Sequence, residues 1–222
     1  MNYMIIGLVV LFFVVMLYIY IHYGSVSTTL MMDADLNKII DPISIAYDAT
    51  STNYSYGLWI YINTWDPNAN KNMITNRGSL RLYLDKQAPV LKCDIKMSNG
   101  TVKTLEITDN FPIQKWTHVI ISANNQFIDG YVNGKLMKSQ RFYSPATDNT
   151  AAVLPATPKA KGKVILGNVG RGYDASVTGF KRWNAPMDPE TAWDTYTIGA
   201  RGIDFISRIY RFFSSLRITF DD

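Results

Sequence analysis

Two Asn-Gly pairs, Asn99-Gly100 and Asn133-Gly134, each stand between runs in which apolar and polar residues alternate. Such a pair supplies the positive φ angles of a type I′ turn, so each reads as the hinge of a β-hairpin. The runs around them fit. In "SLRLYLD", Leu80, Leu82 and Leu84 point one way and Arg81, Tyr83 and Asp85 the other, as the two-residue period of a strand requires. "LKCDIKM" does the same, with Leu91, Cys93, Ile95 and Met97 inward. "YGLWIYI", Tyr56 to Ile62, is apolar on both faces and reads as a central strand. Trp116 to Ala123, "KVILGN" and "SVTGFKRW" add further strands. Short strands at this spacing, with turn signals between them, predict an all-β antiparallel two-sheet sandwich. Two segments depart from the pattern. Ser144 to Lys163 is a long connection rich in Pro, Ala, Thr and Lys. "MDPETAWDTY" offers Asp188 as N-cap, Pro189 at the first helical position and Glu190 in the first turn, which predicts a short helix.

Ahead of the strands lies an uncharged apolar run, Met4 to Ile21, long enough to cross a bilayer as a helix. Tyr18, Tyr20 and Tyr23 gather at its end, where aromatic residues sit at a membrane interface. The expected order is a transmembrane anchor over 1–23, a polar stalk over 24–38, the sandwich over 39–196 and a tail over 197–222. The chain of 222 residues has a single cysteine, Cys93, so no intrachain disulfide can staple the fold. Alternation makes Cys93 a small core residue. A formal net charge of +4 is mild and spread out, and no nucleic-acid partner is expected.

"WTHVIIS…FIDGYVNGKL" resembles the strand pair of the laminin-G-like, concanavalin A-like jelly-roll families, and "GNVGRGYDASVTGFKRWNAPMDPETAW" resembles their closing segment. The resemblance covers about residues 39 to 196 and implies a jelly-roll sandwich. It implies little about activity, because that fold hosts lectins, glycosidases, adhesion modules and structural proteins.

His118 is the histidine that could suggest catalysis, but alternation places it in a strand with Trp116 and Ile120, and no nucleophile motif accompanies it. Glycoside hydrolysis needs two carboxylates, and the only glutamates, Glu106 and Glu190, have no acidic partner two residues away on the same face. No catalytic residue, cofactor or metal is therefore expected; there is no His/Cys cluster for zinc. If the sandwich binds a sugar, it needs an exposed aromatic beside convergent polar groups. The best candidates are Trp65 and Tyr173 on the loop rim, with Asp66, Asn68, Arg171 and Asp174. The tail is amphipathic: Ile203, Phe205, Ile206, Ile209, Phe212, Phe213 and Leu216 fall on one half of a helical wheel, a face suited to a partner or a membrane.

Two functions follow as expectations. One is a non-enzymatic, membrane-anchored structural protein that ties a bilayer to neighbouring proteins of a larger assembly. In layout it resembles the small anchored minor capsid proteins of large DNA viruses with an internal membrane, which would place it in the membrane-capsid layer of a virion. The alternative is a membrane-anchored carbohydrate-binding or adhesion module, with a glycan as partner.

Overall fold

The computed structural model describes residues 7–16, 27–64, 72–147, 150–168 and 172–200. Residues 7–16, inside the apolar run, form a helix, α1, whose side chains from Leu8 to Val15 are exposed. No helix among the described residues is long and apolar enough to cross a membrane. The rest of the run expected to form the anchor lies outside the described residues, as does the amphipathic tail from residue 201 onward.

Among the described residues, twelve strands form two six-stranded antiparallel sheets. Sheet A runs in the order β1 (Ser27–Asp35), β12 (Ala175–Trp183), β3 (Asn53–Ile62), β8 (Thr117–Asn124), β9 (Phe127–Val132), β10 (Lys135–Arg141). Sheet B runs β2 (Ile43–Ser44), β11 (Lys163–Leu166), β4 (Asn72–Asn76), β5 (Leu80–Leu84), β6 (Leu91–Lys96), β7 (Val102–Thr108). The expected sandwich is present, and "YGLWIYI" lies in β3, in the interior of sheet A. The core fills the space between the sheets. Tyr54, Tyr56, Leu58, Ile60 and Ile62 of β3 face Leu80, Leu82 and Leu84 of β5 and Leu91, Cys93 and Ile95 of β6 in one buried cluster. Cys93 is fully buried there, and burial raises its thiol pKa far above the ordinary range.

The two Asn-Gly turns differ. Asn133 and Gly134 both have positive φ, 50° and 75°, as type I′ demands. At the first turn only Gly100 does, at φ 85°. Gly100 N donates to Met97 O and Met97 N to Thr101 O, which is a type I turn closed by a glycine bulge. Asn99 Oδ1 accepts from Thr101 N and Oγ1, so the asparagine serves as a side-chain cap and keeps negative φ.

The segment expected to be a polar stalk is instead mostly strand. Ser27 to Asp35 pairs along β12, and Leu36 beyond it is buried. Leu30, Met31 and Ala34 pack against the core, but the register slips between Thr29 and Met31. That bulge breaks the two-residue period, so a linear reading of the sequence finds no alternation to follow. The sandwich therefore begins by residue 27 rather than 39. The long connection after β10 is pinned: Ser144 pairs Val153 and Met97 pairs Pro155 across isolated bridges, and Ala156 N donates to Lys96 O at 2.7 Å.

The short helix, α2 (Pro189–Ile198), has the cap that its sequence announces. Asp188 accepts from Thr191 N at 2.9 Å, and Pro189 and Glu190 follow in the first turn. The helix lies on the outside of sheet A over a second buried cluster of Ile120, Tyr131, Trp183, Met187 and Ala192. Its lead-in is held by three bonds from the sheet: Ser55 Oγ to Ala185 O, Tyr131 OH to Met187 O, and Met187 N to Ser122 Oγ. Gly57 makes room for this layer, since a Cβ there would lie 2.8 Å from the Trp183 ring.

Candidate functional site

The rim residues named from the sequence are only partly in view. Trp65, Asp66, Asn68 and Arg171 lie outside the described residues. Tyr173 is 2% exposed and sits in the core cluster, so it cannot offer an aromatic face to a sugar. Its backbone is held inward by Tyr173 N donating to Leu36 O, a bond that exists because β1 and its exit belong to the sandwich. Asp174 is half-buried, and its carboxylate is taken. It accepts from Asn63 Nδ2 at 2.9 Å, Thr64 Oγ1 at 2.8 Å and Asn37 Nδ2 at 3.3 Å. The Thr64 hydroxyl first, then the Asn63 amide, holds its pKa below the usual carboxylate range. Asp174 ties together the ends of β1, β3 and β12, and that is a structural task.

A different aromatic face emerges on the outside of sheet A. Strand register lines up Asp33, Thr178, Trp59 and His118 in one row across β1, β12, β3 and β8. The next row along holds Asp35, Ser176 and Tyr61. Alternation dictates this placement. Leu58, Ile60 and Ile62 take the core side of β3, which leaves Trp59 and Tyr61 outside. Trp116, just before β8, is 43% exposed and leans on Tyr61 at 5.6 Å between ring centroids. Trp59, Trp116, Asp33, Thr178 and Ala200 line an open groove of about 410 Å³. Thr178 is only 7% exposed, and its Oγ1 is buried without a hydrogen-bond partner. A buried hydroxyl left unpaired costs about 1–3 kcal/mol, and this one lies beneath the groove floor. The Asp33 carboxylate at the groove's edge is exposed and adds an acceptor.

His118 closes the inner end of this row. It is 2% exposed and stacks on Trp59 at 5.0 Å, while Tyr196 of α2 stacks on Trp59 at 5.5 Å. Burial first, and the nearby Lys181 charge second, push its pKa down to about 4. Its Nδ1 has no hydrogen-bond partner, so no carboxylate orients it for proton transfer. The histidine supports the aromatic floor, as its strand position implied. Among the described residues no group of three His, Cys, Asp or Glu side chains could hold a metal ion. On sheet B, Asp94 accepts from Tyr83 OH, Thr104 Oγ1 and Arg81 Nη2, and Lys92 Nζ bonds Asp85 at 2.5 Å; these are cross-strand ties on the outer face.

The groove was legible in part. Trp116, His118 and Ile120 share parity, and the double-sided apolarity of "YGLWIYI" signals that the outer face of β3 is occupied. Asp33 and Thr178 carry no such signal, because each joins the groove only through the pairing of β1 with β12 across a bulge.

Two six-stranded antiparallel sheets around a shared apolar core define a concanavalin A-like jelly-roll fold. Residues 41–192 match the laminin G type family described as the concanavalin A-like lectin/glucanases superfamily, and the chain belongs to that family. No curated protein matches the chain. Solved structures share the fold. The receptor binding domain of botulinum neurotoxin D matches with TM-score 0.55 and 21% identity, over 77% of this chain and 44% of that one. The botulinum neurotoxin serotype D ligand binding domain in complex with N-acetylneuraminic acid matches with TM-score 0.56 and 18% identity, over 77% and 45%. The binding domain of Paraclostridial Mosquitocidal Protein 1 matches with TM-score 0.54 and 10% identity, over 78% and 47%. The chain spans less than half the length of these domains.

Proposed function

We propose that this protein is a carbohydrate-binding or adhesion module that performs no catalysis, held at a membrane by Met4 to Ile21. The groove carries the reading: the exposed Trp116, beside the half-buried Trp59, offers aromatic surface to the C–H face of a sugar, and the exposed Asp33 carboxylate stands at the edge for hydroxyl groups. Protein sugar sites need this pairing of apolar surface with a few placed polar groups. The likeness to toxin binding domains, one of them solved with N-acetylneuraminic acid, supports the binding reading over an assembly role beneath a capsid. The buried, low-pKa His118 without an acid beside it supports the non-enzymatic part.

The test uses the full-length chain in nanodiscs on a glycan array, followed by affinity measurement on the best binder. Trp116→Ala should weaken binding about tenfold, which is 1.4 kcal/mol. Asp33→Asn should weaken it less, and Leu136→Ala on β10 should leave it unchanged. If the wild type binds no glycan, or if Trp116→Ala binds as well as wild type, the reading fails.

A further inference from the structure

A second concavity lies on the sheet B side, at the β4–β5 turn. It has a volume of about 210 Å³ and is lined by Arg77, Ser79, Lys96, Thr157, Lys159 and backbone at Gly78 and Gly162. Its walls are fixed. Lys96 N donates to Ser79 O at 2.9 Å, Ala156 N to Lys96 O at 2.7 Å, and Gly162 N to Lys159 O at 2.9 Å. Turn, strand end and long connection therefore meet as one frame.

Arg77 is the unusual member. It is 6% exposed, yet no carboxylate pairs with it among the described residues. One guanidinium nitrogen donates to Tyr56 OH at 2.8 Å and another to Ala49 O, but Nε is buried with no acceptor. A buried cation with an idle donor is costly unless an anion meets it. Lys96 and Lys159 bring two more positive charges to the same groove, and neither forms an ion pair among the described residues. Among the described residues, three cationic residues and Thr157 line the groove, and no acidic residue does. The volume is smaller than an ordinary small-molecule pocket, so it suits one charged group rather than a whole ligand.

We propose that this groove is an oxyanion site, with the ammonium groups of Lys96 and Lys159 clamping a sulfate or phosphate ester above the buried Arg77 charge. Compact tetrahedral anions match lysine point charges over a guanidinium floor. The site is separate from the aromatic groove, and it stands whether or not that groove takes a sugar.

Thermal unfolding of the full-length chain in neutral-lipid nanodiscs tests it, with sodium phosphate or sodium sulfate as probe and sodium chloride at equal ionic strength as control. The wild type should gain about 3 °C or more at an anion concentration tenfold above the dissociation constant. Lys96→Gln with Lys159→Gln, both on exposed side chains, should unfold at the wild-type temperature in chloride and lose most of that gain. Sulfate stabilises many proteins by exclusion from their surfaces, so the difference between wild type and double variant is the decisive quantity. Immobilised heparin and vesicles doped with a phosphoinositide then separate the sources. Retention on heparin alone assigns a sulfate ester, and retention on the vesicles alone assigns a phosphate headgroup. A wild type that gains nothing from either anion, or a double variant that gains as much, overturns the proposal.

Discussion

His118 packs against both Trp59 and Tyr196 as a neutral ring, and its chemistry sets the sign of an acid response. Its folded pKa, about 4, is below the ordinary 6.5, so the unfolded chain binds the extra proton first. The stabilisation is complete above pH 6.5 and is lost as pH falls toward 4. The full shift amounts to about 3 kcal/mol. Denaturant melts at pH 7 and pH 4.5 should show wild type losing roughly 2 kcal/mol to this group, and His118→Gln losing measurably less. At pH 7 the same substitution should cost only a modest amount and abolish no activity. A larger effect belongs to Gly57. A methyl group there would meet the Trp183 ring at 2.8 Å and Ile120 Cγ1 at 3.2 Å. Gly57→Ala should therefore cost about 1–3 kcal/mol in a chemical melt, by prying α2 and its lead-in from the sheet.

Among the elements, β1 shows where a linear reading stops. Its hydrogen bonds to β12 and the burial of Leu36 make it part of the sandwich, although its text reads as polar spacer. Removing residues 1–26 should leave the melting temperature of the domain nearly unchanged and release it from the membrane fraction. Removing residues 1–38 should unfold it or lower the melting temperature by more than 10 °C, because β12 would lose its partner and Tyr173 N its acceptor at Leu36. Equal stability of the two truncations would return β1 to the status of a spacer. Elements with an unbroken period were readable: the sequences of β5 and β6 alternate cleanly, and Asp188-Pro189-Glu190 announces α2 through capping chemistry alone. What escaped notice depends on contacts between distant segments. Tyr173 sits between turn residues and looks like a rim aromatic until β1 arrives to bury it. The Trp59–Trp116–Thr178–Asp33 groove draws on four segments, and only the register of β1, β12, β3 and β8 brings them together.

At the scale of the whole sandwich, β1 and β10 are the two outermost strands of sheet A among the described residues. Every residue of β10 is exposed, including Leu136 and Met137, and an outermost strand of that kind invites pairing with another chain. Lys135, Lys138 and Arg141, together with the register slip between Leu136 and Lys138, oppose it. Replacing the three cations with valine should yield oligomers or aggregates by light scattering while the monomer fraction keeps its fold. Deep in the same sandwich, Cys93 is the chain's only thiol, walled in by both sheets and protonated at any ordinary pH. A labelling reagent outside can reach it only when the two layers part. The protein thus carries its own clock: the rate at which an aromatic disulfide modifies Cys93 in the native state counts whole-domain openings, and a ligand in either groove would slow it in proportion to its occupancy.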